Sequence, residues 1–199
     1  MLVELVHDDA EGHGLLALME LQQSRGVTRV DEDGDPVLLM DQDRARWDRQ
    51  LIEHGLAELE RAESLASARG RYMLQAAIAA CHARARSAGE TDWTRIASIY
   101  GDLAAVAPSP VVQLNRAVAV SMAEGPAAGL EALDALAEEP SLRSYHLLPS
   151  ARAHLLEKLG RLEEARAEFE RAASLTENLR QRNRLLERAR ACVQPMPES

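Results

Sequence analysis

The sequence predicts an all-α fold, and three observations carry that prediction. Ala (34) and Leu (29) fill close to a third of the 199 residues, with Glu and Arg abundant, the composition of packed helices. Six aromatics and few β-branched residues are too few for the strands of a sandwich or barrel. Apolar residues recur at i, i+3 and i+4 through most of the chain, and Gly and Pro punctuate it. The length suits one full-sized core, so residues 1–199 are expected to form one contiguous domain.

The first 70 residues read as a helical region interrupted by an acidic hairpin or ordered loop. Leu15, Leu18, Met19 and Leu21 give the first helix its apolar spacing, and Gly26 is the expected stop. From Val27 to Met40 two short aliphatic runs flank DEDGDP, so a small hairpin or ordered loop is expected at about residues 27–42. Asp31, Asp33 and Asp35 alternate like the start of a calcium loop. The glycine, however, is at loop position 4 and Gln42 stands where a bidentate Glu is needed, so the calcium reading fails. Helix resumes near Asp41, with Asp41 or Asp43 as the expected cap. Trp47, Leu51, Ile52, Leu56 and Leu59 form the expected apolar face, broken at Gly70.

Residues 71–176 repeat. Three segments each hold an Ala-rich helix, a turn with glycine and a second helix, and the turn glycines Gly125 and Gly160 lie 35 residues apart. That spacing is close to the 34-residue period of tetratricopeptide repeats and predicts a right-handed stack of three helix pairs. The third copy fits best, with Leu162, Ala165, Phe169, Ala172 and Leu175 at second-helix spacing. Trp93, Ile96, Tyr100, Leu103 and Val106 do the same in the first copy, and the second places Gly129 near the small position. Residues 177–199 read as a polar capping helix and tail, with a narrow stripe of Leu179, Leu186 and Ala189.

The formal charge of −9 argues against a free-standing nucleic-acid binder. The skew to 22 Arg against one Lys, Lys158, suits phosphate recognition but is read as the codon bias of a GC-rich genome. Cys81 and Cys192 are far apart, without metal or disulfide spacing, as expected of a reduced, cytoplasmic protein. No apolar run approaches the ~18–20 residues of a membrane span, and the N-terminus lacks the features of a signal peptide.

No nucleophile elbow, zincin, Walker or dinucleotide-binding motif is present, so neither an enzyme nor a cofactor is expected. His7, Asp8, Asp9 and His13 match no metal spacing, and His82, His146 and His154 are more readily packed residues than zinc ligands. Two groups are candidates for partner contact. Gln75, His82, Asn115 and Arg116 are polar positions in otherwise apolar first helices, which line the concave face of such a stack. Asp41, Asp43, Arg44, Trp47 and Asp48 concentrate charge around an indole, as a docking surface or a buried ionic latch would.

The strings GLLALMEL, VLLMDQDRARWD, QAAIAACHARA, TDWTRIASIYGDL, PSPVVQLNRAVAV and YHLLPSARAHLLEKLGR resemble, in order and spacing, the C-terminal extension of a group of extracytoplasmic-function sigma factors. The resemblance runs from about Gly14 to Leu175. It implies a tetratricopeptide-like regulatory domain of a factor that directs RNA polymerase in transcription initiation. The implied partners are the sigma core domains, polymerase or a signalling protein, without DNA contact from this segment and without a membrane. The Asp41–Asp48 segment is then expected to face the sigma core. The alternative is a stand-alone tetratricopeptide adaptor that binds a peptide or protein in its groove.

Overall fold

A computed structural model describes residues 9–32, 34 and 36–193. His7, Asp8, Asp33 and Asp35 lie outside the described residues. Among those described, the chain is all-helical, with nine α-helices and one isolated antiparallel bridge between Val30 and Pro36. It divides into two compact units, Met1–Ala107 and Pro108–Ser199. That boundary falls inside the expected repeat region, after its first helix pair.

The first unit begins with α1 (Ala10–Gln23), whose N-cap Asp9 accepts from the Glu11 N–H at 3.1 Å. α1 buries His13, Gly14, Ala17 and Leu21. Met19, expected on the buried face, is 54% exposed. The helix ends three residues before Gly26, which opens a single 3-10 turn, Gly26–Thr28. The 27–42 segment is an ordered loop held by the Val30–Pro36 bridge and by the Val37 N–H bond to the Arg29 carbonyl at 2.8 Å.

α2 (Arg49–Leu65) starts later than expected. Its N-cap is Asp48, which accepts from the N–H groups of Gln50 and Leu51, whereas Asp43 caps a separate 3-10 turn, Arg44–Arg46. Trp47 therefore precedes α2 and packs into the core from extended backbone. The Asp48 N–H bonds to the Ser24 carbonyl, which ties the start of α2 to the end of α1. α2 turns Ile52, Gly55, Glu58, Leu59 and Ala62 inward.

α3 (Arg71–Arg84) is nearly all buried, as its Ala-rich sequence requires: Met73, Leu74, Ala76, Ala77 and Ala80 are each at most 3% exposed. It packs on α1 and on α4 (Trp93–Val106). In α4 Ile96, Ile99 and Leu103 face in, Tyr100 is half-buried and Val106 is out.

The second unit holds α5 (Pro110–Glu124), α6 (Pro126–Asp134), α7 (Leu147–Lys158), α8 (Leu162–Leu175) and α9 (Leu179–Ala191). α5 packs on α6, α7 on α8 and α8 on α9. At Gly129 an added Cβ would lie 2.2 Å from Ser121 Cβ, so only glycine lets α6 approach α5 this closely. α7 ends in a Schellman motif. Gly160 has φ +74°, its N–H reaches the Glu157 carbonyl, and the Arg161 N–H reaches the Leu156 carbonyl. Ala165, Phe169 and Ala172 are fully buried at the expected spacing, and Leu162 is exposed. Arg152 of α7 pairs with both Asp134 and Glu168.

The α9 stripe is a correction. Leu185, Ala189 and Cys192 face the core, while Leu179 is 67% exposed and Leu186 half-buried.

Candidate partner-binding site

The Asp41–Asp48 segment is built around a buried guanidinium. Arg44 is 5% exposed. Its Nη1 donates to the carbonyls of His82 (2.9 Å) and Ala85 (3.2 Å), and its Nη2 donates to Thr91 Oγ1 (2.9 Å). These acceptors lie at the C-terminal end of α3 and just before α4. The last carbonyls of a helix have no partner within it and carry its negative end, so a fixed cation there meets two needs at once. The planar fork reaches all three acceptors, which a lysine's single ammonium would not do. Trp47 stacks 5.2 Å from the Arg44 guanidinium, itself 3% exposed. Burial lowers the Arg44 pKa from its ordinary value, and Glu90 opposes that shift.

Arg44 and Trp47 are interior, and the acceptors of Arg44 are neutral carbonyls and a hydroxyl, so the latch it forms is a hydrogen-bonded one. Asp41, Asp43 and Asp48 are exposed, and the last two cap helical turns. His82, also interior, sets its ring edge-on to Trp93 at 5.2 Å. Burial first, then the guanidiniums of Arg44 and Arg25, hold its pKa down at about 4, so it is neutral at pH 7. Arg44 Nε, Trp47 Nε1 and His82 Nδ1 are buried without a hydrogen-bond partner among the described residues.

Gln75 is half-buried on α3, whereas Asn115 and Arg116 are exposed on α5. Arg116 lines an open cleft of about 410 Å³ with Gln113, Val120, Glu124, Ala132 and Leu136. Expected together on one concave face, these positions fall in two units, with Asn115 and Arg116 on the surface of the second and His82 in the interior of the first. His146 bonds to Gln181 at 2.9 Å, and His154 packs edge-on to Phe169 at 5.0 Å. Among the described residues no three His, Cys, Asp or Glu side chains are placed to hold a metal.

Two polar features escape the sequence reading. Glu11 on α1 accepts from the N–H groups of Tyr72 (3.1 Å) and Met73 (3.2 Å), capping α3 from another helix. His13 Nδ1 meets Glu58 Oε2 at 2.5 Å inside the first unit. Each joins residues 45 or more apart in sequence, beyond the reach of local periodicity. The available hint is polarity out of phase: His13 and Glu58 interrupt apolar helix faces.

Residues 1–63, from before α1 to most of α2, match a family described as a family of unknown function (DUF6596). The chain is 46% identical over 178 residues to an uncharacterized protein of Rhizobium meliloti (strain 1021). That alignment covers 89% of this chain and 41% of the relative. The chain thus spans about two fifths of the length of the curated relative it matches. No solved structure matches it.

Proposed function

We propose that the chain is a regulatory, protein-interaction domain of a sigma factor that directs RNA polymerase in transcription initiation. It acts by contact with the sigma core, polymerase or a signalling protein, and not by catalysis. The observation that carries this reading is the lopsided alignment: 89% of this chain corresponds to 41% of a longer protein. A related sequence therefore serves there as one segment of a larger polypeptide. The ordered strings from GLLALMEL to YHLLPSARAHLLEKLGR supply the family resemblance. The helix pairs α5/α6 and α7/α8 are what a tetratricopeptide-like extension requires. A cytoplasmic location goes with this reading, and no helix among the described residues is long and apolar enough to cross a membrane.

The test is a pull-down of the purified chain against a sigma core (promoter-melting and helix-turn-helix regions together) and against RNA polymerase. Capture of either is the expected result, and capture of neither overturns the reading.

A second reading has its own observation. The cleft beside Arg116, with Asn115 exposed on the same helix, suits a stand-alone adaptor that takes a peptide on the second unit. That reading predicts that Arg116→Glu abolishes partner capture, whereas the sigma-contact reading through the first unit leaves capture intact.

A further inference from the structure

Within the first unit, the segment from Val27 to Asp43 leaves the helical body as an ordered tongue. Three of its aliphatic side chains stand out in solvent: Val27 (62% exposed), Val30 (52%) and Leu38 (61%). All three fall on one short loop, between residues 27 and 38. Hydrogen bonds tie down the described residues of the tongue on both sides of its tip. Thr28 Oγ1 bonds to Gln42 Oε1 at 3.2 Å, and Gln42 Nε2 donates to the Val37 carbonyl at 3.1 Å. The Val30–Pro36 bridge closes its middle, and the Arg44 latch fixes its far end to α3. These contacts order the described parts of the tongue before any partner arrives, which lowers the ordering cost of binding.

Charge selects the partner. Asp31, Glu32, Asp41 and Asp43 are exposed along the same tongue, against one cation, Arg29. Pairing with the tongue of a second copy would bring these carboxylates face to face. Three side chains also expose far less than the ~800 Å² per partner of a stable homodimer. An acidic surface with aliphatic knobs fits instead a basic helical face with an apolar edge.

We infer that the tongue, through Val27, Val30, Leu38 and its flanking carboxylates, docks on a basic, apolar-edged helical face of the sigma core. This inference rests on the sigma-domain reading and names the surface that makes the contact.

The full chain and three variants are titrated against immobilised sigma core by biolayer interferometry, each at two salt concentrations. Val30→Ser/Leu38→Ser removes the knobs, Glu32→Lys/Asp41→Lys reverses charge, and Glu60→Lys on the exposed face of α2 is the control. Both tongue variants are expected to bind about tenfold more weakly and the control like the parent. The parent's affinity should fall with salt more steeply than that of the charge-reversed variant. All four substituted tongue side chains are exposed, so thermal melts should coincide. If the parent binds and both tongue variants bind equally well, the tongue is not the docking surface while the sigma-domain reading stands. If only the charge-reversed variant binds like the parent, the basic partner is wrong. Parent that binds no sigma core removes the inference together with the reading beneath it. Dimers by sedimentation that Val30→Ser/Leu38→Ser dissolves would assign the tongue to a second copy instead.

Discussion

Glu11 and Arg44 hold opposite ends of the same helix. The Glu11 carboxylate accepts the free N–H groups of Tyr72 and Met73 at the start of α3, and the Arg44 guanidinium binds the carbonyls of His82 and Ala85 at its end. An anion at the N-terminus and a cation at the C-terminus both oppose the helix dipole favourably. Both come from distant segments, so the most buried helix of the first unit is capped by tertiary contacts, with no side-chain cap from its own flanks. The Arg44 contact also anchors the tongue, which links the stability of α3 to the presentation of Val30 and Leu38.

Replacing Arg44 should therefore cost more than an exposed cation would. Arg44→Ala leaves the His82 and Ala85 carbonyls and the Thr91 hydroxyl without their donor, a loss of about 2–4 kcal/mol. Arg44→Lys should recover only part of it, because one ammonium does not span three acceptors in a plane. The sequence has two tryptophans, Trp47 and Trp93, and both lie in the first unit. Urea unfolding followed by their fluorescence thus reads that unit selectively. An Arg44→Ala midpoint equal to the parent's would contradict the latch.

At the other end, Gly70 and Glu11 should behave as one element. Gly70 has φ −86°, open to any residue, yet an added Cβ would sit 2.2–2.5 Å from the Glu11 carboxyl atoms. Gly70→Ala must expel that carboxylate and so remove the cap. Each single substitution, Gly70→Ala or Glu11→Ala, should cost about 1 kcal/mol, the worth of an N-cap. In the Glu11→Ala background the second change should cost almost nothing. A double-mutant cycle by urea unfolding checks this, and additive losses would show that the two residues act independently.

The helical class and the turn at Gly160 were legible, because periodicity and turn chemistry act over a few residues. Phe169 and its neighbouring alanines fell where the spacing put them. What failed was rotation and long-range pairing. Met19 and Leu21 both fit the α1 stripe, and only packing on α2 and α3 decides that Leu21 goes in. Arg44 reads as one charge among many on a polar segment, since nothing local announces that its acceptors lie 38 to 47 residues away. In the Asp41–Asp48 segment the sequence shows charge gathered around Trp47, but not which side chains face outward.

The C-terminal helix offers a direct test of rotation. Several apolar spacings are available in α9, and the structure selects Leu185, Ala189 and Cys192. Arg188 fixes that choice by pairing with Glu157 and lying over the Phe169 ring at 5.7 Å. Leu185→Ala should destabilise the second unit by about 2–4 kcal/mol through lost burial and the cavity left behind. Leu179→Ala should stay within about 0.5 kcal/mol. Hydrogen exchange of α8 and α9 amides distinguishes the two, and equal effects would restore the stripe through Leu179 and Leu186.

Acid should loosen the latch through His82. An unfolded histidine titrates near 6.5, and in the folded chain burial and the Arg44 and Arg25 guanidiniums depress His82 to about 4. Between those values the unfolded state binds a proton that the folded state refuses, so stability falls as pH drops from about 6.5 to about 4. Each tenfold difference in proton affinity is worth about 1.4 kcal/mol, which sets an upper limit of roughly 3 kcal/mol on the loss. His54 works in the opposite direction. Its hydrogen bond to Glu20 raises its pKa, so its contribution is complete below about 6.5 and fades as pH climbs through the folded value. The two windows lie on either side of 6.5 and are separable. His82→Gln should flatten the acid limb of urea-midpoint against pH, read by tryptophan fluorescence, and leave the limb above 6.5 unchanged. His54→Gln should do the reverse. An acid limb as steep in His82→Gln as in the parent would move the proton-sensitive group away from the latch.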